Sequence, residues 1–136
     1  MATTTATLTL SSGDLTGDAL SLSTTATLTK AGTSTGLDQT TGVARKFYAA
    51  AQTDTALISA ADYTDDKAHK VYIKNISSTA AEYITVKIGA TEVGRLYAGD
   101  FLFIPWSADT TSTAADIDID TSAVNMTVEY LVIYEA

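Results

Sequence analysis

The stretch from Lys70 to Trp106, KVYIKNISSTAAEYITVKIGATEVGRLYAGDFLFIPW, constrains the fold more than any other. Apolar and polar residues alternate there with the period of two that sends successive side chains to opposite faces of a strand. KVYIKNI sets Val71 and Ile73 against Lys70, Tyr72 and Lys74. EYITVKIG repeats the pattern, with Ile84, Val86 and Ile88 expected inward, and SSTAA between them has the length of a hairpin turn. Two adjacent antiparallel strands are therefore predicted. GATE returns the chain into EVGRLYAG, where Gly94 marks an expected bulge, and AGD turns it into FLFIPW. Pro105 has no N–H to donate to a ladder, so it belongs at a sheet edge or strand end. After the polar loop SADTTSTAA, DIDID places Ile117 and Ile119 on one face, and NMTVEYLVIYEA closes the chain with a long alternating strand. Short strands punctuated by turns predict an all-β, antiparallel β-sandwich or jelly-roll-like domain.

The first 42 residues differ in kind. They contain no aromatic residue, and Thr, Ser, Ala and Gly dominate. TTATLT occurs at Thr4–Thr9 and again at Thr24–Thr29, with the turn-forming SSGDLTGD between the copies and ALSLS leading into the second. Two extended segments joined by a turn are predicted. A disordered arm, or an arm that orders only against a neighbouring subunit, is also compatible with so little large apolar surface. AGTSTGLDQTTG, Ala31 to Gly42, reads as a linker. The expected organisation is thus an extended Thr-rich N-terminal arm or strands over residues 1–42 and a β-sandwich domain over 43–136. In the second block the Ala-rich AAAQTDTALISAA admits a short helix, but its Thr and Ile residues and its surroundings favour strands.

A net charge of −8 and a pI near 4.3 exclude a polyanion as the main ligand, so nucleic acid is not an expected partner. The absence of cysteine removes disulfides and thiolate metal sites. MATTTATLTL lacks the basic and apolar regions of a signal peptide, and no apolar run reaches the roughly 18 residues of a membrane span, so neither export nor a membrane partner is expected. Seven of the eight basic residues lie between Arg45 and Arg95, whereas Asp100, Asp109, Asp116, Asp118, Asp120, Glu129 and Glu135 follow without a compensating cation. These halves pair either across subunits or within one chain.

No reactive constellation emerges. His69 is the sole histidine, stands beside basic residues, and is expected at the surface end of a strand. Asp116, Asp118 and Asp120 share the spacing of the first calcium-loop ligands, but Thr121 and Thr127 occupy the positions of the required Gly and Glu, so a solvated acidic strand face is expected. GDLTGD lacks the Lys-Ser/Thr of a phosphate loop. Asn75-Ile-Ser77 and Asn125-Met-Thr127 match the glycosylation sequon, which matters only in a secretory pathway. No catalytic, cofactor-binding or metal-ligating residue is assigned, and no enzyme is expected.

The large apolar residues point to assembly instead. FLFIPW carries Phe101, Phe103 and Pro105 on one face and Leu102, Ile104 and Trp106 on the other, so it either lies centrally in a two-layer core or is covered by another chain. Tyr97, Phe101, Phe103 and Trp106, with Leu8, Leu10 and Leu28 of the arm, are the interface candidates. In a carbohydrate-binding adhesive module, Trp106, Tyr97 and Tyr83 would instead be exposed stacking platforms.

GRLYAGDFLFIP is similar in rhythm to cupin-like jelly rolls, without their metal-binding histidines. YIKN, GRLYAGDFLFIPW, the closing VEYLVIYEA and the N-terminal TATLTLSSGDLTGDALSLSTTATLTKAGTSTGL together resemble small structural proteins of tailed bacteriophages. That resemblance implies a virion component, similar in kind to capsid decoration or cement proteins. It implies self-association, as a homotrimer, the major capsid protein as partner, and a place on the outer capsid surface after assembly in the host cytoplasm. It transfers no catalytic residue, and a tail, neck, baseplate or fibre-associated protein is the alternative it allows.

Overall fold

A computed structural model describes residues 3–136 of the chain. The order along it is β1 (Thr4–Ser12), β2 (Leu20–Leu28), β3 (Gln39–Thr40), β4 (Ala44–Tyr48), β5 (Thr55–Ile58), β6 (His69–Asn75), β7 (Tyr83–Ile88), β8 (Thr91–Tyr97), β9 (Phe101–Trp106), β10 (Ile117–Thr121) and β11 (Met126–Tyr134). Short 3-10 turns occupy Ala60–Asp62 and Thr113–Ala115. Within the Ala-rich segment, Thr55–Ile58 forms the strand that its β-branched residues favour.

β3 to β11 form an antiparallel sandwich. One sheet runs β3-β11-β6-β9, with β4 pairing a second length of β11 on the same side as β3; the other runs β5-β10-β7-β8. The orders 4-11-6-9 and 5-10-7-8 are those of a jelly roll, in which consecutive strands mostly cross between sheets. The expected all-β sandwich is thus the observed fold.

The alternation predicts the core well. Val71, Ile73, Val128 and Val132 of one sheet and Ile84, Val86, Ile117 and Ile119 of the other are fully buried. Burying each such side chain contributes about 1.5–3 kcal/mol. Pro105 lies near the end of edge strand β9, where its missing donor costs no central ladder bond. The register of β7 and β8 shifts beside Gly94, so the expected bulge is present.

The connection after β6 differs from expectation. SSTAA is not a hairpin turn: β6 pairs with β11 and β9, while β7 pairs with β10 and β8 in the opposite sheet. Both strands carry the same alternation, and a face that must be buried can find its cover beside it or above it. Asn75 makes the crossing possible. Fully buried at the end of β6, its Nδ2 donates to the carbonyls of Glu82 (3.2 Å) and Leu96 (3.0 Å), and its Oδ1 accepts from the Ser77 N–H (3.0 Å). The sequon at Asn75 is therefore a structural staple between the sheets. The next connection is a true two-residue hairpin at Gly89, with φ +55°, where a Cβ would lie 2.4 Å from the Ala114 carbonyl oxygen.

His69 also departs from expectation. It does begin a strand, but it is 1% exposed, enclosed by Tyr63, Trp106 and Tyr134 with ring centroids 5.4, 5.5 and 6.5 Å away. Among the described residues neither ring nitrogen has a partner at good hydrogen-bond geometry, although the Lys67 and Trp106 backbones lie near the ring. Its pKa is lowered, first by burial, which disfavours the imidazolium. Strand-end position said nothing of the three aromatic rings that close over this residue.

Candidate assembly surface

The N-terminal segment forms two strands. β1 and β2 pair from Thr4↔Leu28 to Ser12↔Leu20, with Ala6 opposite Ala26 and Thr7 opposite Thr25, so the two TTATLT copies lie largely against one another. Directly paired residues share a face. One face therefore carries Ala6, Leu8, Leu10, Leu20, Leu22, Ala26 and Leu28; the other carries Thr5, Thr7, Thr9, Ser11, Ser21, Ser23, Thr25 and Thr27. Hydroxyls on the polar face bond across the strands, Thr7 to Thr25 at 2.8 Å and Thr9 to Ser23 at 3.4 Å.

A clamp at its base holds this hairpin to the sandwich. Leu28 and Leu37 are buried, the Leu37 N–H donates to the Leu28 carbonyl (2.9 Å), and Thr29 bridges to Gly36. Lys30 pairs with Asp38 at 2.6 Å. Glu135, at the end of the chain, accepts from the Ala31 N–H (3.0 Å) and pairs with Lys67 (3.3 Å). Its carboxyl is held below the usual range, first by the Ala31 N–H. Gln39–Thr40, within the expected linker, then joins the sandwich as β3.

Beyond the clamp, the apolar face of the hairpin stands over the outer face of the β9-β6 sheet without closing on it. Between them lies an open groove of about 980 Å³. Ala6, Leu8, Leu10, Ala26 and Leu28 form one wall with Thr7, Thr9 and Thr24 among them; Phe101, Phe103, Pro105 and Tyr72 form the other, with Lys70 on the same side. Phe103 lies opposite Tyr72 in the ladder, and Phe101 opposite Lys74. Tyr72 donates to Glu129 (3.1 Å), which also takes Arg45 at 2.9 Å, and the Arg45 guanidinium leads in holding the Glu129 carboxyl below its usual range. Leu8 and Leu10 are each 42% exposed and Phe101 57%. An open apolar surface of this kind fits an interaction site.

The expected interface residues separate into three groups. Leu8, Leu10, Phe101 and Phe103 come together across the groove. Leu28, buried at the clamp, lines the same groove. Tyr97 lies elsewhere, on the other sheet, paired with Tyr83 at 5.5 Å while Arg95 covers the Tyr83 ring at 4.7 Å. Trp106 is a correction. It is 5% exposed, and its indole N–H donates to the Ala115 carbonyl at 2.8 Å, so it is core and not a stacking platform. Because both faces of FLFIPW are apolar, periodicity could not say which one turns inward. Tyr72, Pro105 and Lys70 were missed as groove residues, although their alternation with Val71 and Ile73 in β6, or with Ile104 in β9, was the available signal.

The charged halves pair inside the chain at Arg45–Glu129, Lys67–Glu135 and Lys87–Asp120 (2.7 Å). Asp116, buried, accepts from the Ala60 N–H (2.7 Å), and Asp120 from the Asp54 N–H (2.7 Å), so two of the three alternating aspartates hold loops in place. Among the described residues no group of three His, Cys, Asp or Glu side chains is placed to hold a metal ion, and no helix is long and apolar enough to cross a membrane. Compared with protein-family models, curated proteins and solved structures, the chain finds no match.

Proposed function

We propose that the chain is a virion structural protein of a tailed bacteriophage, a decoration protein that self-associates as a homotrimer and binds the major capsid protein on the outer capsid surface. The observation that carries this reading is the clamped hairpin, whose apolar face stands across an open groove from the Phe101–Phe103 face of β9. A lone two-stranded ribbon gains little from its own contacts in water, so a leucine face on such a ribbon implies cover from outside the sandwich. The jelly-roll fold does not by itself imply a function, and in this reading the body serves as a base for the arm. Many modest contacts repeated over a shell bridge neighbouring subunits by avidity. A net charge of −8 keeps such a protein soluble and away from the packaged genome.

The test is to add the purified protein to heads that lack it and image them by electron cryomicroscopy. Ordered density on the outer capsid, lost with Leu8→Ser/Leu10→Ser, is expected. Bare capsids with density in the tail or baseplate, or none on any particle, would overturn the capsid assignment.

A further inference from the structure

Among the described residues no hydrogen bond or ion pair joins the far end of the hairpin to the sandwich. Nine-residue strands make it about 30 Å long, comparable with the width of a domain this size. Its tip, residues 13–19, carries Leu15 at 53% exposure between Asp14 and Asp18. Ser12 Oγ donates to Asp14 at 2.7 Å, and among the described residues neither aspartate pairs with a cation. The groove shows the reverse chemistry. Its walls are mostly apolar, with Thr7, Thr9 and Thr24 on the hairpin side. Lys70 within it and Lys74 beside Phe101 form no ion pair among the described residues, as Lys46 does not, although Lys74 lies opposite Glu129 in the β6-β11 ladder.

The groove cannot be closed cheaply from within. Its hairpin wall is fixed by the clamp at Leu28, Leu37 and Glu135, so folding that wall onto Phe101 and Phe103 would unseat two buried leucines. Nor does the groove suit a second hairpin laid flat, because one side of the ribbon is entirely Ser and Thr and would face an apolar wall. A tip entering end-on avoids that mismatch.

We propose that the groove of one copy receives the hairpin tip of a second copy, with Leu15 between the apolar walls and Asp14 and Asp18 against Lys70 and Lys74. This contact rests on the self-association in the reading above and supplies its geometry. It is head-to-tail, each copy giving a tip and taking one, so it closes into a ring or extends as a chain. The acid–lysine pairs set orientation, and the leucine supplies apolar burial.

The chain has no cysteine, so a cross-link reports the contact directly. Leu15→Cys and Phe103→Cys are prepared as separate proteins, mixed and oxidised; a disulfide between the two is expected. Sedimentation over about 1–100 μM should show a multiple of 14.2 kDa for the wild type. Leu15→Asp and Lys70→Glu should each weaken association by about tenfold or more, and Asp14→Lys/Asp18→Lys should restore part of the loss in Lys70→Glu. All these positions are exposed or half-buried, and circular dichroism confirms that each variant folds. A wild-type mass of one chain throughout, or an oligomer unaffected by both Leu15→Asp and Lys70→Glu, would overturn the contact. Head binding by a protein that stays monomeric would overturn it while leaving the capsid reading intact; an oligomer that ignores heads would do the opposite.

Discussion

The hairpin and the sandwich are written in the same alternation and come out differently. In β6 each inward side chain meets a second sheet, and Val71 and Ile73 disappear from solvent; in β1, Leu8 and Leu10 meet an open groove and remain 42% exposed. Hairpin leucines are as apolar as core ones, so hydrophobicity alone does not separate the regions. What separates them is whether the chain itself supplies a second layer. A strand pattern states that a face must be covered and is silent about which molecule covers it.

The sharpest way to break this comparison is to remove the same kind of atoms from both regions. Ile84→Ala should cost about 2–5 kcal/mol in urea unfolding, because the opposed sheets cannot collapse into the space left behind. Asn75→Ala comes next. It strips the donor from two carbonyls at the sheet crossing, and a loss of about 2–4 kcal/mol is expected by the same measurement. Gly89→Ala should cost about 1–3 kcal/mol, since the new methyl meets the Ala114 carbonyl and the residue keeps a left-handed φ.

A smaller effect follows from His69. Its folded pKa lies below the unfolded value near 6.5, so the unfolded chain binds the proton more readily. Stability is fully present above about pH 6.5 and falls as the pH drops from there toward the folded pKa. Urea midpoints at stepped pH should show this decline in the wild type and a flatter profile in His69→Leu. The paired carboxylates Asp120, Glu129 and Glu135, all with lowered pKa, add a separate loss at more acidic pH, below the ordinary carboxylate range. The smallest expected change in stability is in the hairpin. Leu8→Ser/Leu10→Ser should change the unfolding free energy by no more than about 0.5 kcal/mol while abolishing head binding. If that pair instead destabilised the chain as much as Ile84→Ala, the hairpin would belong to the same cooperative core as the sandwich and the contrast would fail.

Much of this was legible beforehand. The inward pairs Val71 and Ile73, Ile84 and Val86, and Ile117 and Ile119, the alternation of β11, the bulge at Gly94, the edge position of Pro105 and the two extended N-terminal segments all follow from local rules, because alternation, glycine and proline act through a residue's own backbone. Ile88, expected inward with Ile84 and Val86, is only half-buried at the end of β7. The crossing at SSTAA was not legible, since a turn-rich segment of that length serves a hairpin or a change of sheet equally well. Trp106 and His69 were misplaced for a related reason. Their burial depends on Tyr63, Tyr134 and Ala115, residues distant in the chain that approach only when the sandwich closes.

For this protein, then, composition and period settle the class of fold, the acidic surface and which side chains share a face, because each is a property of neighbours along the chain. Tertiary structure decides which of two apolar faces on FLFIPW becomes core, which sheet each strand joins, and that the hairpin is held away from the body at Leu28 and Leu37. Those outcomes depend on packing between segments far apart in sequence, where the free energy of burial is shared by partners that no local pattern names.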